Sequence, residues 1–318
     1  MKKIKISERL SFLVMTLFIS SLCQLYAQKK VYNFLDSSKY KVLEVHPSAT
    51  NNAITRWDSV HVIYYNPKIT NNKLLLWLTG SGGTGINIPR DYFKTALEQG
   101  YRIIALSYFS RPSVAAIARG NNLKKNKDCA ADFRRRRIYG DNNFTMIPDQ
   151  PQDAIISRFV KLLQYLSKTD PEANWQQYLE KGMDKPQWSK IALSGQSQGG
   201  GMSQFIGKYE KVARIISFSG GWDYSNSETK EIADWYYRKN VTPLNRCYAT
   251  YSINEYAAIT IAQINIALKI PDENSFALDK PIRDKKLLNR GRNPYHGDGL
   301  KNPVYKDVWI KMLGSGLK

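Results

Sequence analysis

Hydrophobic and polar positions change period several times along this chain, and the changes mark out its elements. Lys41 to His46 and Val60 to Tyr65 read as an antiparallel pair of strands, each followed by a turn-rich stretch, Pro47–Asn52 and Asn66–Asn72. Lys73 to Leu78 (KLLLWL) is nearly continuous in apolar residues, the pattern of a strand covered on both faces. Pro89 suits a first helical turn and opens a helix to Gly100, after which Arg102–Ser107 (RIIALS) is a second buried strand. Ala154, Ile155, Phe159, Leu162 and Leu163 fall at helical spacing within a helix over about Pro151–Leu166. Strand Lys190–Ser194, a helix from Gln198, strands Ala213–Ser219 and Arg246–Ser252, a helix Ala257–Leu268 and a last helix near Val304–Leu313 follow. Strands alternating with helices at these intervals predict a mainly parallel sheet with helices on both faces. Two polar excursions, Arg111–Asp149 and Trp222–Asn240, are expected at the carboxyl edge of the sheet, where open α/β folds bind ligands.

The 318 residues, 42% hydrophobic and 23% charged, suffice for one large α/β domain. The first 27 residues read as an export signal. Lys2, Lys3 and Lys5 make a basic start, Leu10–Leu22 is an apolar run too short to span a bilayer, and Ala27 offers cleavage before Gln28. The expectation is an exported protein, periplasmic or secreted, of residues 28–318 with no stable membrane span. Losing Lys2, Lys3, Lys5 and Arg9 against Glu8 lowers the net charge from +20 to +17, which draws the chain to anionic surfaces. Cys129 and Cys247 would be the only cysteines left, either bonded to each other or as two buried thiols.

Gly195-Gln196-Ser197-Gln198-Gly199 is a G-x-S-x-G motif, short enough to recur by chance. Its setting makes it specific. It follows the apolar run Ile191–Leu193 and opens a helix carrying Met202, Phe205 and Ile206, the strand–turn–helix context of a nucleophile elbow. A serine nucleophile needs a base. His46 and His61 lie in the early strands, whereas His296 stands in the loop Asn293–Gly299, after the last strands and after the serine. The acid that orients the base follows a late strand. Glu255 is favoured, with Asp223, Asp272 and Asp279 as alternatives. A helix-start acid at Glu255 competes with that role.

Gly80, Gly82 and Gly85 spell the dinucleotide pattern G-x-G-x-x-G after the first buried strand. The helix begins only near Pro89, and the next strand ends in Ser107-Tyr108-Phe109 without an acidic residue for a ribose. The loop reads instead as an oxyanion hole, with backbone N–H groups of Ser81 and Gly82 joined by that of Gln198. Three scattered histidines and two distant cysteines form no metal-ligand pattern. The run Arg134-Arg135-Arg136-Arg137 reads as a solvated face paired with Asp128, Asp132 and Asp141, with an anionic-substrate patch as the functional alternative.

With these residues in place, the chain resembles the α/β-hydrolase superfamily, and within it bacterial exported hydrolases of the esterase or lipase kind. The stretches LLLWLTGSGGTG, GYRIIALSY, WSKIALSGQSQGGGM and RIISFSGGWDY and the His296 loop carry the resemblance across most of residues 70–300. Gln196 stands where such elbows often hold His, and the neighbourhood of Glu255 departs from the more usual Asp. The resemblance implies a mostly parallel sheet of about eight strands with cap-like insertions, a Ser–acid–His triad and no cofactor. The substrate expected is a small-molecule or polymer-borne ester, with an anionic group on it as an option, and no nucleic-acid partner. A non-catalytic protein of the same fold that binds an acidic polymer or partner, or an acyltransferase or peptidase with the same triad, is the alternative.

Overall fold

The computed structural model describes residues 32–70, 73–225, 231–282, 288 and 293–314. The export signal read in residues 1–27 lies outside them. Residues 32–40 belong to a separate N-terminal unit and form turns, with Tyr40 N–H donating to Asp36 O at 2.9 Å. The second unit, from Lys41 onward, is built on one eight-stranded sheet.

Its strands are β1 (Lys41–Val45), β2 (His61–Tyr65), β3 (Leu74–Leu78), β4 (Arg102–Leu106), β5 (Ile191–Gln196), β6 (Arg214–Phe218), β7 (Cys247–Ser252) and β8 (Ser275–Leu278). They lie in the order β1-β2-β4-β3-β5-β6-β7-β8. β2 runs antiparallel to both neighbours, and every pairing from β4 to β8 is parallel. The helices that follow the strands are α1 (Arg90–Glu98), α2 (Cys129–Tyr139), α3 (Ile155–Thr169), α4 (Gln198–Tyr209), α5 (Ala258–Ala267) and α6 (Lys306–Leu313).

β3 is buried at every position because the sheet is covered on both faces. Leu74, Leu76 and Leu78 share a core with Phe159 and Leu163 of α3 and with Met202 and Phe205 of α4. Trp77 points the other way and packs against Tyr92 and Phe93 of α1, while Tyr92 also meets Trp309 of α6. Each fully buried leucine or aromatic ring of these layers contributes roughly 1.5–3 kcal/mol by leaving water.

Two parts of the chain differ from the sequence expectation. β8 was not anticipated: it is a four-residue edge strand, Ser275-Phe276-Ala277-Leu278, with no clear alternation. The segment Arg111–Asp149 holds helices that the sequence pattern did not mark, the short turns Val114–Ile117 and Asn121–Lys125 and the longer α2. α2 also corrects the reading of the arginine run. Arg134 and Arg137, three residues apart on one helix face, are fully buried. Arg134 forms a two-pronged pair with Asp223 at 2.6 and 2.7 Å, and Arg137 one with Asp149 at 2.8 and 2.9 Å. Arg136 donates to backbone carbonyls, and only Arg135 keeps an expected partner, Asp141 at 2.7 Å. Asp128 pairs with Arg238 instead.

The register brings the site together. Leu78 of β3 pairs with Gly195 of β5, Gln196 with Phe218 of β6, Phe218 with Thr250 of β7, and Ser252 with Leu278 of β8. The carboxyl ends of β3, β5, β6 and β7 are therefore level, and the loops leaving them meet above one edge.

Candidate active site

Ser197 occupies the sharp turn between β5 and α4, with φ 55° and ψ −118°. A side chain there costs of order 1–3 kcal/mol, so surrounding contacts must impose the conformation. They do. Ser197 N–H donates to Phe218 O at 2.8 Å, and Gly201 N–H closes the first turn of α4 on Ser197 O at 3.0 Å. The two motif glycines permit a close crossing: a Cβ on Gly195 would come within 2.4 Å of Gly199, and a Cβ on Gly199 within 2.0 Å of Leu78 O. The first amides of α4 have no carbonyl within the helix, so its N-terminus is an electropositive end beside the serine.

Gly80 borders the elbow, where a Cβ would lie 3.6 Å from Ser197 Cβ. Gly83 N–H donates to Gly80 O at 3.0 Å, closing a turn over Gly80–Gly83 in which Gly82 takes φ 79°. A positive φ at the third turn position is the type II geometry, which selects glycine. Among the described residues nothing accepts from the N–H groups of Ser81 or Gly82. Gly85, the last glycine of the dinucleotide pattern, packs on Val60 O and Ala105 O, where a Cβ would come within 2.5 and 2.7 Å. That contact gives it a packing reason, and no helix begins there.

His296 sits in a 3-10 turn, Pro294–Gly297, with its Nδ1 2.9 Å from Glu255 Oε2. The other oxygen of Glu255 accepts from Ser219 Oγ at 2.8 Å and from Ser252 N–H at 3.2 Å. The carboxylate is buried, and the imidazole keeps 23% of its surface exposed. The Trp222 indole meets the imidazole edge-on at 5.0 Å and donates from Nε1 to Ser219 O at 2.8 Å. Gln196, immediately before Ser197, donates from Nε2 to His296 O at 3.2 Å and ties the histidine loop to the elbow. A cavity of about 180 Å³ opens between Gln196, Pro294, His296 and Asp298.

The other candidates lie apart from this cluster or are otherwise engaged. Both carboxylate oxygens of Asp223 are taken by Arg134, and Trp235 Nε1 adds a bond at 2.8 Å. Asp272 and Asp279 flank β8 and are exposed. His61 is buried in β2 and accepts from Ser107 N–H on Nδ1 at 3.0 Å, while His46 is exposed and bonded to Asp58 O at 2.8 Å. Cys129 and Cys247 are free buried thiols. Among the described residues no group of three His, Cys, Asp or Glu side chains is placed to hold a metal ion, and no helix is long and apolar enough to cross a membrane. Sequence reasoning gave Ser219 no role and did not anticipate that Gln196 and Trp222 contact His296. Ser219 had one usable signal, a small polar residue ending the strand next to the nucleophile's own.

No family model matches the chain, and no curated protein matches its sequence. Among solved structures it is similar to esterase B from Lactobacillus rhamnosis, with TM-score 0.47, 13% identity, and 94% of this chain and 93% of that one covered. It is also similar to a dienelactone hydrolase from Anabaena variabilis, with TM-score 0.42, 13% identity, and 85% and 96% covered. These likenesses are distant, and the assignment of architecture rests on the chain's own strand order, crossovers and elbow. By those features the chain has the α/β-hydrolase fold that its sequence motifs resemble.

Proposed function

We propose that this chain is a serine hydrolase that cleaves carboxylic esters through an acyl-enzyme on Ser197. One observation carries the reading. The only histidine after the elbow contacts a buried, doubly hydrogen-bonded glutamate at 2.9 Å, and its loop is tied to the residue before the serine. Ser197 Oγ attacks the ester carbonyl while His296 Nε2 takes its proton. Glu255 accepts from Nδ1–H, fixes the tautomer and stabilises the imidazolium. The negative charge that forms on the carbonyl oxygen is held by N–H groups of Gln198 and of the Ser81–Gly82 turn. Collapse expels the alcohol with the proton from His296. Water then enters, loses its proton to His296 and releases the acid, restoring Ser197.

Fluorophosphonate labelling tests the reading, since it modifies only an activated serine. Labelling that maps to Ser197 and vanishes in Ser197→Ala, together with turnover of p-nitrophenyl acetate, supports it. An unlabelled, inactive but folded protein would favour the non-catalytic alternative. The same proposal places the mature protein outside the cytoplasm, supported by the basic-then-apolar N-terminus. A mature chain beginning at Gln28 in the exported fraction is the expected result, and an intact Met1 terminus retained with the cytoplasm would refute it.

A further inference from the structure

Three fully buried arginines are satisfied by the fold itself: Arg134, Arg137 and Arg158 each face a carboxylate. Two others, the exposed Arg111 and the partly buried Arg119, have no such partner, and both lie beside residues of the site. Among the described residues no carboxylate pairs with either guanidinium. Arg111 lies on the oxyanion turn, with its Nε and Nη2 at 2.7 Å from where a Gly82 Cβ would stand. The absence of that Cβ makes room for the cation. Arg119 lies on the ring of Tyr224 at 3.9 Å and within 5.9 Å of the ring of Trp222, the residue that touches His296. Stacking satisfies its face but not its N–H edge, and its Nε is buried without a hydrogen-bond partner.

The segment bearing both arginines is fastened to the elbow. Gln198, next to Ser197, donates from Nε2 to Ser110 O at 3.0 Å and accepts from Val114 N–H at 2.8 Å. Arg111 stands between those two anchors and Arg119 follows one helical turn later. One cation therefore borders the oxyanion turn and the other borders His296 through Trp222. Neither charge is neutralised by a carboxylate among the described residues, so each favours an anion bound beside it. Arginine suits this task because its planar edge takes a carboxylate with two parallel hydrogen bonds.

We propose that Arg111 and Arg119 form an anion subsite beside Ser197, and that the ester cleaved here carries a carboxylate or an equivalent anionic group. The inference rests on the ester-hydrolase reading for what happens to the ligand, but its binding part is separately measurable. The probe protein is the full chain carrying Ser197→Ala, which leaves an ester intact. Binding is measured by calorimetry for two matched pairs: mono-p-nitrophenyl succinate against its methyl ester, and 4-acetoxybenzoate against its methyl ester. The first pair puts the anion on the acyl side and the second on the alcohol side.

The anionic member of at least one pair should bind tenfold or more tightly than its neutral partner at low salt. The pair that shows the gap assigns the side. The ratio should narrow towards one in about 0.5 M salt, and in Ser197→Ala with Arg111→Gln and Arg119→Gln together. A thermal melt checks that the added substitutions leave the protein folded, and the single substitutions serve if the triple variant does not fold. Ratios near one for both pairs overturn the subsite. So do arginine substitutions that weaken anionic and neutral esters equally, because the cations would then act on something common to all esters. Failure of the hydrolase reading looks different: wild-type protein turns over none of the four esters, whatever the binding ratios are.

Discussion

Replacing Glu255 by Gln changes one charge and one hydrogen-bond direction while keeping the shape of the side chain. Oε1 of Glu255 accepts from Ser219 Oγ at 2.8 Å and from Ser252 N–H at 3.2 Å, so the carbonyl oxygen of a glutamine is drawn to that position. Its NH2 group then occupies the position of Oε2, 2.9 Å from His296 Nδ1. A donor there requires Nδ1 to accept, which leaves the proton on Nε2, the nitrogen that must be bare to take the proton of Ser197. The imidazolium also loses its buried counter-charge. Wrong-tautomer substitutions of this kind in Ser–His–acid enzymes cost about ten-thousandfold in kcat, equivalent to about 5 kcal/mol of transition-state stabilisation. The assay is the initial rate of p-nitrophenyl acetate hydrolysis by wild type and Glu255→Gln at matched folded fraction, checked by circular dichroism. A loss of a thousandfold or more is expected, with KM little changed. Activity within tenfold of wild type would refute the assignment of Glu255 as the residue that orients His296.

Four further outcomes follow from the same geometry. Ser219→Ala removes one hydrogen bond to the Glu255 carboxylate, and bonds to charged groups are worth about 1.5–3 kcal/mol. A fall in kcat of about ten- to hundredfold with KM retained is expected, and an unchanged kcat would leave Ser219 outside the relay. Asp223→Ala leaves Arg134 buried and unpaired, so urea denaturation should show a loss of about 3–5 kcal/mol; a variant as stable as wild type would show that water or another group compensates the cation. Gly82→Ala places a side chain at φ 79° against the Arg111 guanidinium, so esterase activity should fall at least tenfold while stability drops by about 1–3 kcal/mol; full activity would separate this turn from the oxyanion. Burial, aided by the nearby Arg158 charge, pushes the His61 imidazole down to about 3. The unfolded chain, near 6.5, then binds a proton that the folded chain refuses. Stability from this residue is complete above about pH 6.5 and declines by about 1.4 kcal/mol per pH unit as pH falls towards 3. His61→Asn keeps an acceptor for Ser107 N–H and should show a shallower decline in urea midpoint between pH 6.5 and 4.5; identical slopes would place the titration elsewhere.

Much of the architecture was legible because local patterns report local burial. The runs KLLLWL and RIIALS are apolar throughout since both faces of β3 and β4 are covered, and observed and expected limits agree within two residues. Edges are harder to read. β8 is short, pairs on one side only and therefore carries no strong pattern. α2 was hidden by its own composition, because CAADFRRRRIY reads as a solvated charge run until the carboxylates that neutralise it are known. Asp223 and Asp149 lie 89 and 12 residues away from Arg134 and Arg137. Their pairing depends on how α2 lies against its surroundings, which periodicity does not encode.

By itself the sequence determined the alternation of strands and helices and the elbow at Ser197 and, through the scarcity of histidines, singled out His296 as the candidate base. These follow from short-range requirements: glycines where backbones cross, an apolar strand before the turn, and a loop histidine late in the chain. Tertiary structure decided which acid meets the histidine. Glu255, Asp223, Asp272 and Asp279 are alike as carboxylates, and only the level ends of β5, β6 and β7 bring Glu255 to His296 across 41 residues while Arg134 occupies Asp223. It also decided which arginines face the site. Burial with a carboxylate withdraws Arg134 and Arg137, and the two anchors on Gln198 hold the segment of Arg111 and Arg119 against the elbow. Charge is a property of residue type, but whether it is spent within the fold or offered to a ligand depends on what the folded chain places beside it.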